Sequence, residues 1–136
     1  MHGRIVVGVD GSPASIRALK WALGQAVLTG AAVEVINAWQ YPQVPGGRVP
    51  AMGVNLSASA EQILQNAVED AGASAESVMT RTVLGHPVQA LVDASGDADL
   101  LVVGRRGHGG FAGMLLGSVS GQVSAYAQCP TVIVHA

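Results

Sequence analysis

One lysine, one cysteine and one phenylalanine in 136 residues exclude several kinds of protein at once. Lys20 is the sole lysine, and only seven residues are Lys or Arg against nine Asp or Glu, for a formal charge of -2. A surface that tracks nucleic-acid phosphates or lies on anionic lipid needs clustered cations, and here they are scattered. Neither nucleic acid nor membrane is therefore an expected partner. Cys129 stands alone, so no internal disulfide can form, and a reducing compartment, the cytoplasm, is expected. Its plain reading is a small apolar residue ahead of Pro130. No apolar run approaches the roughly 18 residues needed to cross a bilayer. The run 5–9 is broken at once by Asp10, so no secretory signal is expected. His2, His86 and His135 lie far apart and show no metal-ligand spacing, so no metal site is expected. Charged residues are scarce at 12%, but hydrophobic ones reach 49%, which excludes a disordered chain. The length predicts one domain over residues 1–136 with enough apolar side chains for a core.

What is present has a regular rhythm. Residues 4–9 form a short β-branched run that ends at Gly8, Val9, Asp10, Gly11 and Ser12. Ser12 followed by Pro13 reads as an N-cap with proline in the first helical position. Ile16, Leu19, Leu23, Ala26 and Val27 then recur at helical spacing until Gly30. A second strand is predicted over 32–38. Residues 39–56, with Pro42, Pro45, Gly46, Gly47, Pro50 and Gly53, form a loop of unusual length, a kind that tends to be functional. A helix over about 57–71 presents Ala60, Ile63, Leu64, Ala67 and Val68 to the core. A strand at 77–83 precedes a helix opened by His86 and Pro87, with Val88, Leu91 and Val92 inward. A strand at 99–104, a glycine loop, a helix over about 118–127 and a strand at 131–135 complete the chain.

Alternating strands and helices predict right-handed crossovers and a parallel sheet, an α/β sandwich of three layers. The runs at 5–7 and 100–103 are apolar on both faces, as central parallel strands are. The run at 77–83 alternates and carries Arg81, which suits an edge. The strand order 3-2-1-4-5 satisfies these constraints. Its switch point falls between strands 1 and 4, which brings Asp10 beside Gly104 in the crevice where such sheets bind ligands.

The loop after strand 4 is rich in glycine: Gly104, Gly107, Gly109, Gly110, Gly113 and Gly117, followed by Ser118 at a helix start. Glycines let backbone N–H groups face a ligand, and a helix N-terminus favours an anion. This predicts a phosphate cradle. The lysine-dependent phosphate loop is excluded, because Lys20 lies in the first helix. A dinucleotide fingerprint requires an acidic residue about 20 positions on, and no Asp or Glu follows Asp99. The remaining pattern is Gly-x2-Gly-x9-Gly-Ser at Gly104, Gly107, Gly117 and Ser118.

Together with residues 8–12 and the Leu-Val-Val-Gly of 101–104, this pattern resembles the universal stress protein family over essentially the whole chain. The resemblance implies the Rossmann-like, adenine nucleotide alpha hydrolase-like form of the fold, with ATP across the switch point, magnesium being left open. It implies that Asp10, in the turn of Gly8, Val9, Gly11 and Ser12, binds the nucleoside end. Backbone at Ala38 would hold the adenine; members often carry valine there, which a backbone contact tolerates. Gly104 would sit near the ribose. Gly107, Gly109, Gly117, Ser118 and the backbone of Val119 would surround the phosphates. Arg105 and Arg106 could each offset phosphate charge, but adjacent loop residues rarely share one ligand, so at most one, Arg105, is expected to do so. His108 is a further candidate phosphate contact, against a plain reading as an exposed histidine. Asp10 has a plain reading too, as the cap of its own turn. Trp39 and Tyr41 are expected to pack at a strand end rather than over the base.

Apart from Asp10 there is no carboxylate near the glycine loop to hold a catalytic metal, and no nucleophile elbow or paired carboxylates. The sequence therefore favours an ATP-binding regulatory or stress-response protein over a weak ATPase or nucleotide-transferring enzyme. A third reading is a dimeric interaction module. Thr131, Val132, Ile133, Val134 and His135 would form the other sheet edge, with no lysine or proline to blunt it. Family members commonly dimerise through this strand, so the resemblance implies a homodimer.

Overall fold

Apolar strand segments and amphipathic helices alternate through the chain. The structure, a computed structural model, describes residues 3–40, 56–74, 76–105 and 118–135. The elements are β1 (Arg4–Gly8), α1 (Pro13–Thr29), β2 (Ala32–Trp39), α2 (Leu56–Asp70), β3 (Met79–Leu84), α3 (Pro87–Ser95), β4 (Leu100–Gly104), α4 (Ser118–Tyr126) and β5 (Thr131–Val134). The strands form one parallel sheet in the order β3-β2-β1-β4-β5, as the strand compositions predict.

Because side chains alternate across a strand, each central strand feeds two cores. Ile5, Val7, Val33, Val35 and Val102 pack under α1 and α2 with Ala18, Leu19, Ala22, Leu64, Ala67 and Val68. Val6, Ile36, Leu101 and Val103 face the other way, against Leu91 and Ala94 of α3 and Val123 of α4. The result is three layers. It explains why β1 and β4 read as unbroken apolar runs.

The helix starts follow the sequence signals. The Ser12 side chain accepts from the Ser15 N–H at 3.2 Å, and the His86 Nδ1 accepts from Val88 N–H at 3.1 Å, each ahead of a proline. Gly30 ends α1 in the left-handed region (φ 76°), its N–H donating to Ala26 at 2.7 Å. Three expectations are corrected. Val27, expected inward, is 85% exposed. The row Leu19, Leu23, Val27 winds about 40° around the helix per step, so the third member leaves the sheet. β3 begins at Met79 rather than 77, because Ser77 is held in a turn by its N–H and hydroxyl, both donating to the Ser74 carbonyl. β5 closes at Val134, which leaves His135 outside the strand. β3 is an edge, and its Arg81 joins Arg4 of β1 around Glu34 of β2. No helix among the described residues is long and apolar enough to cross a membrane.

Candidate functional site

β1 and β4 lie side by side, Val7 opposite Val102, so the chain segments leaving them meet at the carboxyl edge of the sheet. From β1 the chain turns into α1 on one face. From β4 it leads toward α4 on the other. Residues 8–12 leave this edge from β1, and residues 104–105 leave it from β4 beside them.

The turn after β1 is tightly organised. Gly11 adopts φ +86°, a region open to glycine and strained for other residues. The Ser12 N–H donates to Asp10 Oδ1 at 2.9 Å, so the carboxylate does cap its own turn. A carboxylate has about four acceptor sites, so this bond orients Asp10 and is compatible with a ligand as well. Ser12 is buried at 4% exposure, with its hydroxyl committed to α1, and the Ser15 hydroxyl donates back to the Ser12 carbonyl at 2.9 Å. Val9 belongs to the core: its side chain is buried and its N–H donates to the Ile36 carbonyl at 2.9 Å. Gly8 faces α3, and a Cβ there would lie 2.7 Å from Leu91 Cδ1.

The end of β2 is tied to this turn by Asn37, 5% exposed, whose Nδ2 donates to the Val9 carbonyl at 2.7 Å. Ala38, next along, is half-buried and pairs in register with Val83 of β3. Trp39 is half-buried at the strand end.

At the end of β4, a Cβ at Gly104 would lie 2.7 Å from both the carbonyl carbon and the oxygen of Ala14. The glycine is thus required by the first turn of α1, which sits against the end of β4. Arg105 donates its N–H to the Val134 carbonyl at 2.9 Å, and its own carbonyl accepts from the Ser120 hydroxyl at 2.9 Å. α4 is described from Ser118 onward. Val119 is half-buried against the core beneath α3 and α4. Tyr41, Arg106, Gly107, His108, Gly109 and Gly117 lie outside the described residues. Of the glycine pattern, the two ends, Gly104 and Ser118, are described.

Three residues that hold the site together are not singled out by the sequence. These are Ser15, Asn37 and the buried Ser120. Asn37 had a readable signal, an amide inside the apolar run Val-Ile-Asn-Ala. Away from this edge, burial and the Asp99 carboxylate push the Cys129 thiol above its ordinary range, which suits a packing residue rather than a nucleophile.

Comparison with known proteins agrees with this architecture. The Universal stress protein family matches residues 1–135. A universal stress protein of Mycobacterium tuberculosis is 40% identical over 141 residues, spanning 96% of this chain and 94% of the relative. A universal stress protein solved in complex with cAMP is 32% identical, covers 98% of this chain and 96% of its own, and has a TM-score of 0.69. One from Archaeoglobus fulgidus in complex with dAMP, 24% identical, shares the fold over 98% of this chain and 99% of its own with a TM-score of 0.67. Matched almost end to end by the family and by a close relative, the chain belongs to the universal stress protein family.

Proposed function

We propose that this chain binds ATP, with or without magnesium, across the switch point between β1 and β4, and that the bound nucleotide serves a regulatory role in the cytoplasm rather than dedicated catalysis. The observation that carries this reading is the adjacency of the Asp10 turn and the Gly104 end of β4 at the carboxyl edge of the sheet. The relatives solved with cAMP and dAMP support an adenine nucleotide as the ligand. In this reading Asp10, held in place by the Ser12 N–H, accepts hydrogen bonds from the ribose or an exocyclic amine. Backbone at Ala38 faces the adenine, and Gly104 lies near the ribose. Gly107, Gly109, Gly117, Ser118 and the backbone of Val119 cradle the phosphates, with Arg105 and His108 beside them. Gly8, Val9, Gly11 and Ser12 act by shaping the turn that presents Asp10.

Native mass spectrometry of the freshly purified chain tests this. An adenine nucleotide retained by wild type and lost from Asp10→Asn is expected, and a nucleotide-free wild type that stays so after incubation with millimolar MgATP refutes the reading. Phosphate release under single-turnover conditions no faster than in Gly117→Ala is expected of a regulatory site.

The chain is also proposed to dimerise through β5. β5 is the terminal strand of the sheet beyond β4, with His135 exposed at its end, and an unblunted edge invites pairing. Light scattering at micromolar concentration should give a dimer whose β5 amides resist exchange. A monomer with fast-exchanging β5 amides opposes it.

A further inference from the structure

α1 carries an apolar surface that the described residues leave exposed. Trp21, Val27 and Leu28 are 39%, 85% and 81% exposed. At about 100° per residue they share one face with Arg17, Lys20 and Gly24, turned away from the buried Ala18, Leu19 and Ala22. Gly24 lies at the middle of that face. A Cβ there would meet nothing within 4 Å, so no described neighbour demands a glycine. Yet glycine is the poorest non-proline residue in a helix interior. A bare position between large exposed apolar side chains allows a second helix backbone to come close.

The pattern is complementary to itself. Trp21 and Val27 stand three positions either side of Gly24, and Lys20 and Leu28 stand four. At about 100° per residue Trp21 and Leu28 lie on one side of Gly24 and Lys20 and Val27 on the other. A two-fold axis at Gly24 therefore lays Trp21 of one helix on Leu28 of its antiparallel mate, twice, with the Lys20 stem against Val27. The charges agree with that direction. α1 has no acidic residue in its first turn and no basic residue in its last. Its only charges, Arg17 and Lys20, sit in the N-terminal half, where the helix dipole disfavours cations. Reversing the partner carries those cations toward the negative C-terminal end of the facing helix.

We infer that the outer face of α1 is a self-association surface on which a second copy of this chain packs its own α1 antiparallel, crossing at Gly24. The apolar trio, doubled by symmetry and framed by the stems of Arg17 and Lys20, offers on the order of 1,000 Å² of contact, the low end for specific interfaces. The association is accordingly reversible. The face points away from the sheet, so it is distinct from the β5 edge and can operate alongside it.

The test uses the full chain with Cys129→Ala. Gly24→Cys, on the axis, is expected to form an intermolecular disulfide about tenfold or more faster under mild oxidation than Gln62→Cys, an exposed control on α2. Adding Leu28→Lys, which sets a third cation beside Arg17 and Lys20 of the mate, should abolish that advantage. In the chain with glycine retained, Leu28→Lys should remove one association step in sedimentation velocity with the circular dichroism unchanged. Crosslinking no faster than the control, or insensitive to Leu28→Lys, overturns the inference. An unchanged sedimentation profile for Leu28→Lys likewise overturns it.

Discussion

Replacing Gly104 with alanine probes the joint on which the site depends. The added methyl carbon would lie 2.7 Å from two backbone atoms of Ala14 and 3.0 Å from its Cβ. Backbone cannot rotate aside, so α1 must withdraw from β4 by roughly 0.7 Å to restore ordinary van der Waals contact. α1 is anchored through Ala18, Leu19 and Ala22 in the core beneath it, so the withdrawal is resisted. Overpacking of this kind costs about 2 kcal/mol, or a urea midpoint lower by about 1 M. Gly8→Ala is the internal comparison. Its new carbon would meet the far end of the Leu91 side chain at 2.7 Å, which can change rotamer, so the loss should be clearly smaller. Ala14→Gly removes only the 3.0 Å contact and should recover less than half of the Gly104→Ala loss. Equilibrium urea unfolding of the four chains decides the matter. A Gly104→Ala midpoint equal to wild type, or complete rescue by Ala14→Gly, refutes the steric argument.

Asn37→Ala strips a buried carbonyl at Val9 of its amide donor and should cost about 1–3 kcal/mol. Hydrogen exchange should also quicken at residues 9–12, and unchanged exchange there would show that the amide does not brace the turn. The raised thiol pKa of Cys129 predicts slow alkylation by iodoacetamide at neutral pH, with a rate that climbs only above the pH at which a free thiol reacts. Asp99→Asn should shift that climb to lower pH, since it removes the second cause of the shift. The same group links stability to pH. Its contribution is full below the ordinary thiol pKa and is lost as pH rises through the raised folded value, so Cys129→Ala should flatten the alkaline limb of the stability curve.

Much of this fold is legible because local chemistry and tertiary position agree. Unbroken apolar runs place β1 and β4 at the centre, and the charged alternation around Arg81 places β3 at an edge. Ser12 with Pro13, His86 with Pro87, and Gly30 mark helix ends through bonds that involve near neighbours only. Legibility fails where the cause is a distant residue. Gly104 reads as room for a ligand, while the atoms that require it belong to Ala14, ninety positions away. Asn37 reads as an interruption of a strand, while its partner is the carbonyl of Val9 on the neighbouring segment. Val27 fits the helical period yet falls outside, because the extent of the sheet beneath α1 is a tertiary fact. For Asp10 the two readings coexist, since capping its own turn is what fixes the carboxylate at the carboxyl edge of the sheet.

The central claim is that Asp10 and the end of β4 form one adenine-nucleotide site. Titration calorimetry of ATP into the full chain, wild type beside Asp10→Asn, tests it most directly. The substitution retains an oxygen for the Ser12 N–H while removing the charge, so the turn should survive. The account predicts saturable binding of one nucleotide per chain, weakened about tenfold or more in Asp10→Asn, a loss of at least about 1.4 kcal/mol. No heat of binding to the folded wild type at millimolar ATP, or equal affinity in the two chains, would contradict it.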